Sequence, residues 1–172
     1  CDMNVQLSYW PAYTSNRLDW AGPLYDWVEQ LMPRFRRECK KFYGCEGAFT
    51  PGGIALNGAR EYGWETCEQW PGNGPWIAWH FWLHYLYSRD DEFLKRRAYP
   101  VLRDFMRLYL GILEKGKDGL YHVPLSSSPE YSHDTPAAWG RDPSGDLALI
   151  RALGEALAFC VRHLHLDDPD AE

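Results

Sequence analysis

Apolar side chains recur every three or four residues along four stretches of this chain, which is the spacing of one face of an α-helix. The first stretch begins at Leu24 and stops near Gly44. The second, residues 76–87, is apolar nearly all round, so it predicts a helix that is buried on every side. The other two cover residues 92–113 and 144–164, and each has one apolar face.

Polar residues and proline define the third of these helices further. Asp90 or Asp91 is expected to cap it, because a carboxylate accepts hydrogen bonds from the free N–H groups of a first turn. Pro100 lies within it and should kink or split it. Asp104, together with three arginines, is assigned to its solvent-facing side.

The remaining sequence, residues 1–22 and 45–75, is predicted to be irregular. The second of these stretches is rich in Gly, Pro and Trp, which favours a long ordered loop over disorder. No stretch alternates convincingly as a β-strand would. The pattern therefore predicts an all-α fold of antiparallel helical hairpins, with an inner and an outer layer.

The chain is expected to be a fragment. Two pairs of helices leave apolar faces open, since paired helices normally stack on further pairs. The chain also opens Cys1-Asp2-Met3, inside an apparent motif. We therefore expect residues 1–172 to be a single partial domain, about two helical hairpins of a longer protein.

Composition narrows the range of partners. Aromatic residues make up 16% of the chain, which indicates either a bulky core or a cleft lined with flat rings. The net charge of −6 argues against a nucleic-acid partner, which requires a basic surface. No apolar run reaches membrane-spanning length, so no membrane partner is expected.

Cysteine and histidine spacing predicts neither a metal site nor a cofactor. The five cysteines include no C-x-x-C pair, which makes a structural zinc site unlikely to form. Cys39 and Cys45 flank a helix end and can pair if the chain is secreted, but cysteine usage leaves the compartment undecided. His80 and His84 share a helix face without the glutamate of a zinc protease between them, which favours packed core histidines.

Residues 126–131, S-S-S-P-E-Y, place the single carboxylate of Glu130 in a loop between two helices. Pro129 restricts the backbone that enters Glu130, and the serine hydroxyls can hold the carboxyl group in one orientation. Such a loop presents a proton at a fixed place. On composition alone, a polar surface turn is the competing interpretation.

Aromatic and acidic residues close to these loops are candidates for sugar binding. Trp64, Trp70 and Tyr131 can pack flat rings on the apolar faces of a sugar, and Glu65 can bind hydroxyl groups, as can its neighbours Glu61 and Glu68. Core packing is the alternative for the tryptophans, and it stays open for Trp70. Solvated loop carboxylates are the alternative for the glutamates.

Three stretches resemble one enzyme family. Residues 2–12, D-M-N-V-Q-L-S-Y-W-P-A, resemble the N-I-N-x-x-M-N-Y-W-P-A stretch of glycoside hydrolase family 95. Residues 74–85, G-P-W-I-A-W-H-F-W-L-H-Y, are similar to its G-G-A-W-L-x-x-H-L-W-E-H-Y helix, and residues 126–131 resemble its P-S-x-S-P-E-N. The similarity runs in order over most of the chain.

The resemblance implies a six-hairpin (α/α)6 toroid, of which this chain supplies part, and an inverting α-L-fucosidase or related activity without a cofactor. Glu130 matches the position of the family's general acid. Asn4 matches one of two asparagines that hold the attacking water, whereas Asp2 replaces the other. The family's base lies beyond residue 172, and Asp146, the local stand-in, is better explained as part of a helix start.

Three functions follow from these observations. The leading one is a piece of a glycosidase whose partners are an oligosaccharide substrate and the rest of its own catalytic domain. The second is a carbohydrate-binding relative without catalysis, and the third is a helical interaction module.

Overall fold

The computed structural model describes residues 3–61, 68–127 and 135–170, and α-helices dominate it. In chain order these helices are α1 (Asn4–Thr14), α2 (Gly22–Tyr43), α3 (Asn73–Ser88), α4 (Asp91–Phe93), α5 (Tyr99–Ile112) and α6 (Ser144–Leu164). A π-helix, Leu94–Ala98, joins α4 to α5, and short 3-10 helices cover Leu18–Ala21 and Pro136–Ala138.

The strands of the described residues are all very short. They form two antiparallel pairs: β1 (Glu114–Lys115) with β2 (Tyr121–His122), and β3 (Ser126–Ser127) with β4 (Trp139–Gly140). The predicted all-α class is therefore confirmed.

Helices α1 and α3 lie side by side and run in the same direction. The ring of Tyr9 meets the ring of His80 edge-on, at 6.4 Å between centroids. Tyr13, one turn further along α1, contacts both His80 and the more distant Tyr87. Because the contacts advance along both helices together, α1 and α3 are parallel.

Helix α6 is parallel to α3 on its other side. Trp82 of α3 packs against Phe159 of α6, with ring centroids 5.4 Å apart. Tyr85, one turn later, contacts Phe159 and also His163. Helices α1, α3 and α6 therefore form one layer with a common direction, called the first layer below.

Helices α2, α4 and α5 form a second layer. Near the start of α2, Asp26 pairs with Arg97 at 2.5 Å, and further along it Arg36 pairs with Asp104 at 2.6 Å, so α2 runs parallel to α4 and α5. This layer runs opposite to α3, because His84 near the end of α3 stacks on Phe93, which lies in α4, where the helical segment 91–112 begins. Successive long helices thus form antiparallel hairpins, as the sequence predicts.

The antiparallel layers bring the ends of five helices together at one end of the molecule. The N-terminal ends of α1, α3 and α6 lie there, together with the C-terminal ends of α2 and α5. We call it the site end, because the chain segments that adjoin it include those in which the sequence predicts chemistry.

Helix α2 follows the predicted periodicity closely. Leu24, Val28 and Phe35 are buried along one face. The helix ends at Gly44, whose φ of 71° lies in the left-handed region that glycine adopts without strain. The predicted stop is confirmed.

Pro100 splits the third predicted helix, as expected. The π-helix Leu94–Ala98 immediately precedes it, between α4 and α5. Proline has no N–H and its ring crowds the carbonyl four residues earlier, so a wider turn at this point relieves both defects. Asp90 caps α4 by accepting from the N–H groups of Glu92 and Phe93, which confirms that prediction.

The prediction that residues 1–22 are irregular is wrong, because α1 occupies half of them and a 3-10 helix follows it. Its buried residues include Gln6 and Tyr13, whereas Leu7 and Trp10 are exposed. Such a helix packs through large polar side chains and shows no apolar face in the sequence. Pro11 lies inside it and adds a misleading break signal. The described residues accordingly hold five long helical segments, one more than predicted.

The assignment of Asp104 to a solvent-facing side is also wrong. Only 5% of Asp104 is exposed, and Arg36 of α2 holds its carboxylate. A buried charge needs such a partner, and the partner lies 68 residues away in the chain. Local periodicity carries no information about that pairing.

Two cysteines meet at the site end without forming a disulfide. The Sγ atoms of Cys39 and Cys45 are 3.8 Å apart and both thiols are free, whereas a disulfide requires about 2.05 Å. Cys160 is buried and its thiol is also free. Among the described helices, none is both long and apolar enough to span a bilayer.

Candidate active site

Two of the seven predicted site residues, Asn4 and Trp70, lie in the described part of the chain. The other five are outside it: Asp2, Trp64, Glu65, Glu130 and Tyr131. The structure therefore locates the first two directly. For the others it gives the positions of the described residues that precede and follow them.

Asn4 is the first residue of α1, so it lies at the site end. It is exposed, and its carbonyl accepts a hydrogen bond from the Ser8 hydroxyl at 2.6 Å. That contact uses the backbone of Asn4 and leaves its amide side chain out of the interaction.

Trp70 also lies at the site end, just before α3. It is 6% exposed, and its ring meets that of Trp76 edge-on at 6.3 Å. Its indole N–H donates to the Oδ2 atom of Asp146 at 3.3 Å. The indole nitrogen, which is the only polar atom of the Trp70 side chain, thus links Trp70 to the first turn of α6.

Asp146 is the centre of a buried polar cluster at the site end. The residue is 0% exposed. The Tyr109 hydroxyl donates to its Oδ1 atom at 2.6 Å, and the Ser126 hydroxyl donates to its Oδ2 atom at 2.7 Å, alongside Trp70. Burial raises the pKa of Asp146, and the three hydrogen bonds oppose that rise in part.

The predicted place of Asp146 is confirmed, but its environment was missed. It lies in the first turn of α6, as expected for a helix start. An acid in a first turn normally faces water, however, and nothing in the local sequence distinguishes this one. Because donors from three other segments already occupy both oxygens, Asp146 is poorly suited to accept a proton from a water molecule.

Strands β3 and β4, which precede and follow residues 128–134 in the chain, pair with each other beside this cluster. Ser126 pairs with Gly140 and Ser127 with Trp139 across β3 and β4. Ser126 and Ser127 are both buried. Glu130 itself lies outside the described residues, three positions after Ser127.

A cavity of about 230 Å³ opens at the site end between α2 and the β3–β4 pair. Its lining is rich in rings, and the described residues around it are Phe42, Tyr43, Phe49, Gln69, Pro71, Leu125, Ser126 and Trp139. The Tyr43 hydroxyl donates to the carbonyl of Gln69, which ties the end of α2 to the loop before α3. Flat rings with polar edges suit the mixed surface of a sugar.

The glutamates of the loop before α3 differ from one another. Glu61 is exposed, as the solvated alternative predicts. Glu68 is 4% exposed and accepts from Arg60 at 3.2 Å, so that alternative is wrong for Glu68. Burial raises the pKa of Glu68, whereas the Arg60 contact opposes the rise.

His80 is a buried core side chain, as predicted, whereas His84 is half-buried. The Nδ1 atom of His80 lies 3.0 Å from the Tyr13 hydroxyl, and burial lowers the pKa of His80 to about 4. His84 stacks on Phe93 at 3.9 Å. Within the described ranges no group of three or more metal-binding side chains occurs.

These observations define a layered helical-hairpin protein with a buried carboxylate and an aromatic-lined cavity at one end of its layers. Comparison with known families assigns it further. The glycosyl hydrolase family 95 catalytic domain matches residues 1–171, and the chain belongs to that family.

Two curated relatives carry related names. The chain is 31% identical over 156 residues to "Alpha-L-fucosidase 2" of Arabidopsis thaliana, a match that covers 87% of this chain and 18% of the relative. It is 28% identical over 148 residues to "Probable alpha-fucosidase A" of Aspergillus niger, with 81% of this chain and 18% of the relative covered. The chain thus spans about a fifth of the length of these relatives.

Proposed function

We propose that this chain contributes to the catalytic domain of an inverting glycosidase that removes α-linked L-fucose or a related L-sugar from oligosaccharides. Its helical hairpins then form part of an (α/α)6 toroid, and the rest of that domain is its partner. The names of the two relatives, both fucosidases, support the substrate class.

The observation that carries the proposal is the convergence at the site end. Three helices of one layer start there, and with them lie Asn4, Trp70 and the paired strands before and after segment 128–134. In the family's motif, those positions belong to the water-holding asparagine and the acid loop. A sugar bound at the site end would therefore contact both the water-holding asparagine and the acid loop.

The proposed reaction uses one proton donor and one proton acceptor. Glu130 gives its proton to the glycosidic oxygen as the bond from that oxygen to the anomeric carbon breaks. Asn4, with Asp2, holds a water molecule on the opposite face, and that water attacks the anomeric carbon while a base takes its proton. The base is assigned to a part of the catalytic domain beyond residue 172. Trp64, Glu65, Trp70 and Tyr131 are assigned to substrate binding.

The decisive variant is Glu130→Gln, made in the protein as its gene encodes it. Without the acid, kcat on a fucosylated oligosaccharide should fall about 10²- to 10⁴-fold, the usual contribution of general acid catalysis. The loss on a dinitrophenyl α-L-fucoside should be far smaller, because dinitrophenolate leaves without protonation. Glu92→Gln, at an exposed position in α4 at the end opposite the site end, is the matched control and should retain full activity.

Two outcomes would overturn this assignment. Undiminished oligosaccharide turnover in Glu130→Gln would remove Glu130 as the acid. An unaltered protein that binds fucosylated oligosaccharides but hydrolyses none would favour the carbohydrate-binding relative instead, and Asp2 at the family's asparagine position is the feature consistent with that result.

A further inference from the structure

The carboxylate of Asp146 connects four separate parts of the chain at the site end. Its three donors are Trp70 in the loop before α3, Tyr109 near the end of α5, and Ser126 in β3, while Asp146 itself starts α6. The distances are 3.3, 2.6 and 2.7 Å. Two of these donors, Trp70 and Ser126, belong to loop and strand segments, and the other two partners belong to helices.

Stability alone does not account for a charged group at this place. Taking a carboxylate out of water costs several kcal/mol, and hydrogen bonds typically do little more than repay such a cost. Well-packed apolar side chains of similar volume often stabilise a core equally well. What the carboxylate adds is geometry, since it fixes three donors from distant segments relative to one another.

We propose that Asp146 is a positioning residue of the glycosidase site, which holds Trp70 and Ser126 in fixed positions relative to helices α5 and α6. Ser126 lies four residues before Glu130, and Trp70 lies six residues after Trp64. Asp146 binds both through the same oxygen, Oδ2. The inference rests on the proposed function, because it names what the cluster does for that site.

The position of the cluster separates this role from direct catalysis. Asp146 is fully buried and both its oxygens are occupied by protein donors. Because it is buried, it acts through Ser126 and Trp70. A displacement of about 1 Å at a reacting group can cost about 100-fold in rate, so a distant positioning group has a measurable effect.

The test compares leaving groups in the protein as its gene encodes it. Asp146→Asn keeps the size of the side chain but replaces one acceptor oxygen by an NH2 group, so at least one donor loses its partner. We expect kcat on a fucosylated oligosaccharide to fall about 10- to 100-fold, and KM should rise as well, because Asp146 also holds Trp70, which is assigned to substrate binding. On dinitrophenyl α-L-fucoside, which needs no proton, the fall should be under about threefold.

Ser126→Ala is the second variant, because it removes one donor and leaves the carboxylate. Its kcat should also fall more on the fucosylated oligosaccharide than on the dinitrophenyl fucoside, but by a smaller factor than in Asp146→Asn. Asp167→Asn, at an exposed position after α6, is the matched control and should behave as the unaltered protein. An equal loss on both substrates, or no loss on either, would contradict a positioning role.

A readout without turnover separates this inference from the proposed function. Hydrogen exchange of peptides that cover β3 and β4 should become at least about tenfold faster in Asp146→Asn, whereas peptides from the middle of α2 should be unchanged. Unchanged exchange at β3 and β4 would overturn the inference whatever the activity. If Asp146→Asn speeds up exchange but the unaltered protein hydrolyses no fucoside, Asp146 still anchors these strands, and the glycosidase assignment is refuted.

Discussion

Two buried polar clusters in this molecule differ in what they connect. The Asp146 cluster joins a loop and a strand to helices α5 and α6 at the site end. The cluster of Tyr13, Tyr25 and His80 joins only helices, α1, α2 and α3, through a hydroxyl pair at 3.0 Å and a hydroxyl–imidazole contact at 3.0 Å. In this comparison the carboxylate joins irregular segments to helices, whereas neutral groups join three helices to one another.

Burial favours the neutral form of the titratable group in each cluster, but the two groups make the stability of the protein depend on pH in opposite directions. It raises the pKa of Asp146 and lowers the pKa of His80 to about 4. A raised carboxyl pKa favours the folded protein at low pH, whereas a lowered imidazole pKa favours it at high pH. The comparison can therefore be tested by mutation and by titration.

The largest expected effect is on the charged cluster. Asp146→Ala should lower the free energy of unfolding by roughly 2–4 kcal/mol, because three buried donors lose their acceptor together. Urea unfolding of the variant measures it directly. Asp167→Ala, at an exposed position, should change the free energy by less than about 0.5 kcal/mol, and a similar change in both variants would show that the cluster is energetically unimportant.

The next effect is the opposite pH response of the two clusters. As pH falls from 6.5 toward about 4, His80 gains a proton only when unfolded, so the folded state should lose up to roughly 3 kcal/mol through this group. The loss should disappear in His80→Gln, which cannot titrate. Urea unfolding at several pH values gives the difference between the two proteins.

For Asp146 the sign is reversed. Its contribution should be fully present below the ordinary carboxyl pKa of 3.8 and be lost as pH rises through the higher folded pKa. The difference between the unaltered protein and Asp146→Asn should therefore shrink with rising pH over that range. For each variant, the measured quantity is the difference in free energy of unfolding from the unaltered protein. If this difference changed with pH in the same direction for His80→Gln and Asp146→Asn, the contrast between the clusters would be refuted.

The smallest effect is expected in the neutral cluster. Tyr13→Phe removes the hydroxyl that contacts Tyr25 and His80, at a cost of about 1 kcal/mol in the free energy of unfolding. Because the cluster connects only helices, kcat and KM should stay within about twofold. Tyr9→Phe, on the same helix face, is the control. A large fall in kcat for Tyr13→Phe would show that the neutral cluster also supports the active site, and the contrast between the clusters would fail.

Periodic helices were the part of the fold that the sequence could predict. The predicted stretch 144–164 coincides with α6, and the predicted stop at Gly44 ends α2. In these helices the apolar spacing and the terminating residue are local signals. Helix α1 lacks such a signal, because it packs through Gln6 and Tyr13 and contains Pro11.

Buried charges were the part that the sequence could not predict. Asp104, Glu68 and Asp146 all look like ordinary surface carboxylates, yet all three are buried. Asp104 pairs with a residue 68 positions away, and Asp146 binds a tryptophan 76 positions away. Only the packing of the two layers determines such contacts. The candidate acid Glu130, by contrast, was identified from its motif, and its role stays a prediction.

The most direct test of the account is the position of Glu130 in a crystal structure of the protein as its gene encodes it, with a fucoside analogue bound. In an inverting site the acid and the water-activating group lie about 6.5–9.5 Å apart, so the Glu130 carboxyl group should lie at roughly this distance from the Asp2–Asn4 segment, across the sugar. A separation of more than roughly 12 Å would contradict the glycosidase assignment.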